Sequence, residues 1–151
     1  MKRKLILMML LVVLVNPITA SANSKGLSNK QKKIADKVAT TAMKEWNKYG
    51  VLPSVAVAQT FIESSLGVNQ VRQNNLWGLK PKGKYASYSS LEKGIYAYLN
   101  VLNNGRYDKA LYKKDYKKQI KKILQGGYYG EDDGGTKEKY YKNCVMSIQK
   151  I

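Results

Sequence analysis

The sequence predicts a single, mostly α-helical domain, and three observations carry that expectation. Apolar residues recur at three- and four-residue spacing in five stretches, most of them opened by a capping residue or a proline and closed by glycine. A chain of 151 residues fits one domain with one core. No internal repeat or low-complexity tract interrupts it.

The elements follow in order. Ser28 with Gln31 forms a capping box before a stripe of Ile34, Val38, Met43 and Trp46, and this helix is expected to end near Tyr49-Gly50. Pro53 suits the first turn of a second helix, where its missing N–H costs nothing; Val55, Ala58, Ile62 and Leu66 continue that helix to Gly67. Residues 68–89 lack helical periodicity and read as a loop region with room for a short hairpin. Ser89 and Glu92 suggest another capping box before Ile95, Tyr98, Leu99 and Leu102, with Gly105 as the stop. Asp115 caps a helix bearing Tyr116, Ile120, Ile123 and Leu124, ended by Gly126-Gly127. After the acidic turn Glu131-Asp132-Asp133-Gly134-Gly135, a last helix carries Tyr141, Val145 and Ile148.

Composition restricts the chemistry. With no histidine and one cysteine, the chain has no Ser-His-Asp or Cys-His machinery, no His-containing or all-Cys zinc site and no intrachain disulfide. No metal or cofactor is expected, and acid/base work falls to a carboxylate of tuned pKa, to tyrosine or to lysine. Cys144 lies in an apolar stretch and reads as a small buried hydrophobe. At the N-terminus, Lys2, Arg3 and Lys4 precede eleven apolar residues from Leu5 to Val15, and Ala20-Ser21-Ala22 offers small residues for a peptidase. This is a secretory signal pattern, too short for a comfortable membrane span. Residues 1–22 are therefore expected to be removed, leaving one domain over 23–151, outside the cell, with a net charge of +14.

The sharpest local feature is Gln59-Thr60-Phe61-Ile62-Glu63-Ser64-Ser65-Leu66-Gly67. Glu63 is the only acidic residue between Glu45 and Glu92, and it falls in the last turn of a helix otherwise apolar or small. Beside Phe61 and Ile62 its carboxyl group is expected to be partly desolvated, which favours the protonated state that a general acid needs. A glutamate is also disfavoured at a helix C-terminus by the macrodipole, which argues for a reason other than helix stability.

Further segments follow Glu63 in a fixed order: Asn74-Asn75-Leu76-Trp77-Gly78-Leu79-Lys80, Tyr85 through Glu92, Gly127-Tyr128-Tyr129, and Tyr140-Tyr141. The ordered set resembles the flagellar- and autolysin-type endo-β-N-acetylglucosaminidases, glycoside hydrolase family 73, of the lysozyme-like superfamily. The likeness spans about residues 30–151. It implies a lysozyme-like helical domain whose cleft binds peptidoglycan glycan strands, with Glu63 as general acid for the β-1,4 bond after N-acetylglucosamine. It puts Tyr128 at the position of a tyrosine near the acid, able to hold the N-acetyl group or the attacking water. Gln59, Asn74, Asn75 and Tyr129 become candidate substrate contacts. Trp77 and Tyr85 become candidate flat faces for sugar rings, although Trp77 suits a core position equally, and the two asparagines also suit a turn.

The chain departs from that family in one respect. Many relatives carry a second glutamate in a β-hairpin lobe, whereas here only Pro81 to Ala86 separate Lys80 from Ser87, with no acid among them. The lobe is truncated. Retaining and inverting glycosidases both need two carboxyl groups at defined separations. Without the second, the substrate's own N-acetyl oxygen is the favoured nucleophile, and Glu92, Glu131, Asp132 or Asp133 is the fallback base. A muramidase or lytic transglycosylase acting on the same glycan, and a non-catalytic wall-binding module, are the competing readings.

Lys109, Lys113, Lys114, Lys117, Lys118, Lys121 and Lys122 crowd one region. They are expected to form a solvated basic face that holds a monomeric protein on anionic wall polymers, with affinity falling as salt rises. Nucleic acid is not an expected partner, since no recognition motif accompanies the charge.

Overall fold

The computed structural model describes residues 26–129 and 135–150. Six α-helices make up the described fold: α1 (Asn29–Lys44), α2 (Trp46–Tyr49), α3 (Pro53–Ser64), α4 (Leu91–Leu102), α5 (Tyr116–Gln125) and α6 (Lys137–Lys150), with a short 3-10 turn at Pro81–Gly83. The described residues contain no strand. The hairpin expected before α4 is reduced to an isolated bridge between Arg72 and Asn75. The described fold is all-α, as the sequence predicts. None of these helices is long and apolar enough to cross a membrane. The signal segment, with Leu5–Val15 and the Ala22 cleavage point, lies outside the described residues, as do Glu131, Asp132, Asp133 and Gly134.

α3 is the axis of the domain, packed against α1 on one side, α6 on another and α5 on a third. Val55, Ala56, Val57 and Ala58 are all buried, because a helix wrapped by neighbours has no solvent face. The rest of the core comes from Val38 and Ala42 of α1, Ile95, Tyr98 and Leu99 of α4, Ile120 and Ile123 of α5, and Tyr140 and Cys144 of α6. Cys144 is fully buried, as expected.

Several boundaries differ from the sequence expectation for local reasons. The first helix breaks at Glu45, and its buried stripe is Ile34, Val38, Thr41 and Ala42, leaving Met43 59% exposed. Counting from Val38, the same helical face recurs at three and four residues, not five. α3 ends at Ser64, three residues before Gly67. α4 is capped by Ser90, whose hydroxyl accepts from Lys93 N–H, so Ser89 and Glu92 form no capping box. The same helix ends at Leu102, before Gly105. Along α6 the buried residues are Tyr140, Cys144 and Ser147, with Tyr141, Val145 and Ile148 flanking them. By contrast the Ser28 capping box, the Pro53 start and the Asp115 cap stand as expected.

Candidate active site

The end of α3 places Glu63. Ser65, Leu66 and Gly67 all adopt left-handed backbone, with φ of 49°, 54° and 81°, so the chain turns away one residue beyond the last helical turn. A left-handed leucine costs on the order of 1 kcal/mol, which is held here by complete burial of its side chain. Gly67 suits its left-handed φ, and a Cβ there would also press on the side-chain ends of Ile34 and Leu76, at 2.8 Å from Cδ1 and 3.1 Å from Cδ2. The abrupt stop leaves Glu63 half-buried at the rim of a cleft.

Beneath it runs a chain of buried polar groups. The Tyr98 hydroxyl donates to Gln59 Oε1 at 2.7 Å, Gln59 Nε2 donates to the Tyr140 hydroxyl oxygen at 3.3 Å, and the Tyr140 hydroxyl donates to Glu63 Oε1 at 2.6 Å. Burial, then the neighbouring ionisable groups including Glu63, pushes the Tyr98 and Tyr140 phenols well above the usual tyrosine range. Burial and the Glu63 charge do the same for Tyr128. The Cys144 thiol, beside the Tyr140 hydroxyl, is pushed up to about 12, again mainly by burial. All four groups are therefore neutral near pH 7.

The cleft has a volume of about 790 Å³. Five of the sequence candidates line it: Glu63, Trp77, Tyr85, Tyr128 and Tyr129. Trp77 is only 4% exposed and lies stacked on Tyr98, with ring centroids 4.4 Å apart and planes 10° from parallel. One indole face is thus already taken, and Trp77 forms cleft floor. Tyr85 is the open aromatic, 44% exposed, with Lys80 Nζ 4.4 Å from its ring centroid. Tyr129 packs on Tyr140 at 4.8 Å. Two buried polar atoms in the cleft lining, Tyr128 Oη and Trp77 Nε1, have no hydrogen-bond partner among the described residues.

The other three candidates stand behind the cleft. Gln59 is buried and spends both ends of its amide on Tyr98 and Tyr140. Asn75 is fully buried; its Nδ2 donates to the carbonyls of Leu79 and Ala86, and its Oδ1 accepts from Leu79 N–H. Asn74 donates to the Tyr88 carbonyl from a left-handed backbone, φ 57°. Both asparagines thus frame the loop, which was one of the two roles open to them.

Tyr140 is the residue that sequence reasoning missed. Reading α6 along Tyr141, Val145 and Ile148 centred its inner face one residue late, on side chains that pack at the edge of the core. The buried Cys144 was the available signal, since Tyr140 lies one turn before it on the same face. Lys80 and Lys139, also missed, are the cations of the cleft wall, and among the described residues Glu63 is its only acid. Glu92 is exposed, 3.5 Å from Lys37, and does not line the cleft. No cluster of potential metal ligands occurs among the described residues.

The family model for mannosyl-glycoprotein endo-beta-N-acetylglucosaminidase, Glucosaminidase, matches residues 39–151. Solved structures share the fold. A peptidoglycan hydrolase from Sphingomonas sp. A1 aligns with a TM-score of 0.64 at 23% identity, over 78% of this chain and 86% of that one. The glycoside hydrolase domain of Salmonella typhimurium FlgJ gives 0.62 at 20%, over 79% and 86%. The catalytic domain of the Listeria monocytogenes autolysin Auto gives 0.61 at 21%, over 82% and 85%. Comparison with curated protein sequences returns no match.

Proposed function

The chain belongs to the glucosaminidase family, glycoside hydrolase family 73, and is a glycoside hydrolase; we propose that it is a secreted peptidoglycan hydrolase in which Glu63 is the general acid. The observation that carries this reading is a half-buried carboxyl group at the rim of an aromatic-lined cleft, hydrogen-bonded from below by Tyr140. The structural neighbours, among them a peptidoglycan hydrolase and an autolysin, support the wall glycan as substrate. The N-terminal signal pattern supports export.

In the proposed reaction, Glu63 gives its proton to the oxygen of the β-1,4 bond after N-acetylglucosamine as that C–O bond breaks. The substrate's own N-acetyl oxygen attacks the anomeric carbon and forms a cyclic oxazolinium. Water then opens this ring at the anomeric carbon and returns a proton to Glu63, so atoms and charge balance. Substrate assistance is favoured because no second described carboxylate lines the cleft, whereas external nucleophile or base mechanisms need a pair. Tyr128 is proposed to orient the N-acetyl group, since its hydroxyl has no hydrogen-bond partner among the described residues, and Tyr85 to stack on a sugar ring. The lysines of α5 are proposed to hold the protein on anionic wall polymers.

The test is clearing of purified walls by residues 23–151, beside the Glu63→Gln variant, with products reduced by borohydride and weighed. Reducing-end N-acetylglucosamine from the wild type alone supports the reading. Reducing N-acetylmuramic acid or an anhydro sugar replaces it with a muramidase or transglycosylase, and binding without sugar release replaces it with a wall-binding module.

A further inference from the structure

Tyr140 is committed as a donor to Glu63 by the groups behind it. A phenol has one proton to give, and each partner's capacity fixes the next. Tyr98 gives its proton to Gln59 Oε1, which turns the amide so that Nε2, a donor only, faces Tyr140. The Tyr140 oxygen accepts there, so its own proton goes forward to Glu63 Oε1. Reversing that bond would require the whole series to turn round and would leave the buried Tyr98 proton without its acceptor, a costly state in a dry interior.

We propose that the series Tyr98–Gln59–Tyr140 positions the acid of the proposed reaction, holding Oε1 of Glu63 as a permanent acceptor so that the transferable proton is carried on Oε2. Gln59 and Tyr140 are thus positioning residues, and Gln59 acts on the reaction without touching substrate. The inference rests on the reading of Glu63 as the acid. A donor that favours the carboxylate also makes Glu63 a readier proton source, since the conjugate base formed as the bond breaks is already stabilised. The ionisable surroundings leave this effect visible. Tyr98 from α4, Tyr128 after α5, and Tyr140 with Cys144 from α6 are uncharged neighbours; Tyr107 and Tyr129 also line the cleft, and Lys80 and Lys139 are the described cations of its wall.

The experiment compares wild type with Tyr140→Phe, which keeps the ring and removes the donor, and with Gln59→Met, which keeps bulk and frees the Tyr140 hydroxyl to turn. Two measurements are made on the 23–151 protein: the pH profile of wall cleavage, and a carbon-detected NMR titration of the Glu63 side-chain carboxyl, which needs no substrate. Tyr140→Phe is expected to raise the Glu63 titration midpoint by about one pH unit, to move the basic limb of the pH profile up with it, and to lower kcat about tenfold with little change in KM. Gln59→Met is expected to shift both in the same direction by less. Unchanged midpoints in folded variants overturn the inference. If Tyr140→Phe does not fold, Gln59→Met decides alone by the same criterion. A wild type that cleaves no wall sinks the proposed function, while the carboxyl titration still judges whether the tyrosine holds Glu63.

Discussion

α3 and α5 are close in length, 12 and 10 residues, and opposite in use. α3 is wrapped by its neighbours, so its polar side chains are answered by protein: Gln59 by Tyr98 and Tyr140, Thr60 by the Ala56 carbonyl, Ser64 by the Thr60 carbonyl. α5 has one buried side, formed by Gln119, Ile120, Ile123 and Leu124, and four lysines in water. The difference separates the two roles proposed for these helices. A side chain surrounded by fixed partners is held in one geometry, which is what proton transfer requires; a solvated face offers charge without position.

The comparison breaks first at Glu63. Glu63→Gln is expected to lower wall cleavage by about a hundred- to ten-thousand-fold with an unchanged melting temperature, since it removes the proton and keeps the shape. An activity loss below tenfold would mean that α3 does not supply the acid. On α5 the largest effect is expected at its single buried polar residue. Gln119 donates to the carbonyls of Gly50 and Ala110 and accepts from Leu52 N–H, tying α5 to the start of α3. Gln119→Leu strands those three groups and is expected to cost about 2 kcal/mol in chemical denaturation.

Asp115→Ala is smaller, about 1 kcal/mol, because it removes the acceptor for Lys117 and Lys118 N–H at the open end of the helix. Smallest in stability is the joint change of Lys117, Lys118, Lys121 and Lys122 to glutamine, expected to stay within about 0.5 kcal/mol. The same change sharpens the comparison through a different readout. Sedimentation with purified walls is expected to show weaker retention at low salt, and the difference should vanish near 1 M salt, where screening reaches ~3 Å. Retention that is unaffected by the change would remove the targeting role from α5.

The two helices also differ in how far their sequences disclose them. α5 is legible from end to end: Asp115, Ile120, Ile123, Leu124 and Gly126 announce cap, face and stop, because one wet side and one dry side leave a period in the sequence. α3 is apolar almost all round, so periodicity cannot say which way Gln59 points. Its acid stood out by its isolation, its apolar flanks and the ordered segments that follow it, and its hydrogen-bond donor lies 77 residues away on a helix read one residue out of phase. The loop before α4 hides a further constraint. A Cβ on Gly94 would fall 2.0 Å from the Asn74 carbonyl oxygen, so this glycine is required by a backbone that passes over the helix. Such an approach is made by the tertiary fold and leaves no trace in local pattern.

Cys144 adds a clock to this arrangement. The sole thiol of the chain lies fully buried beside the Tyr140 hydroxyl, with its ionisation pushed up to about 12, so an alkylating reagent meets neither an accessible sulfur nor a thiolate while α6 is seated. Modification needs an opening that bares the sulfur, and release of α6 from α3 is one such opening. The folded protein thus shelters its one thiol, while Met43 and Met146 stay open to oxidants, and slow labelling of that sulfur reports how often the packing behind the Tyr140–Glu63 contact opens.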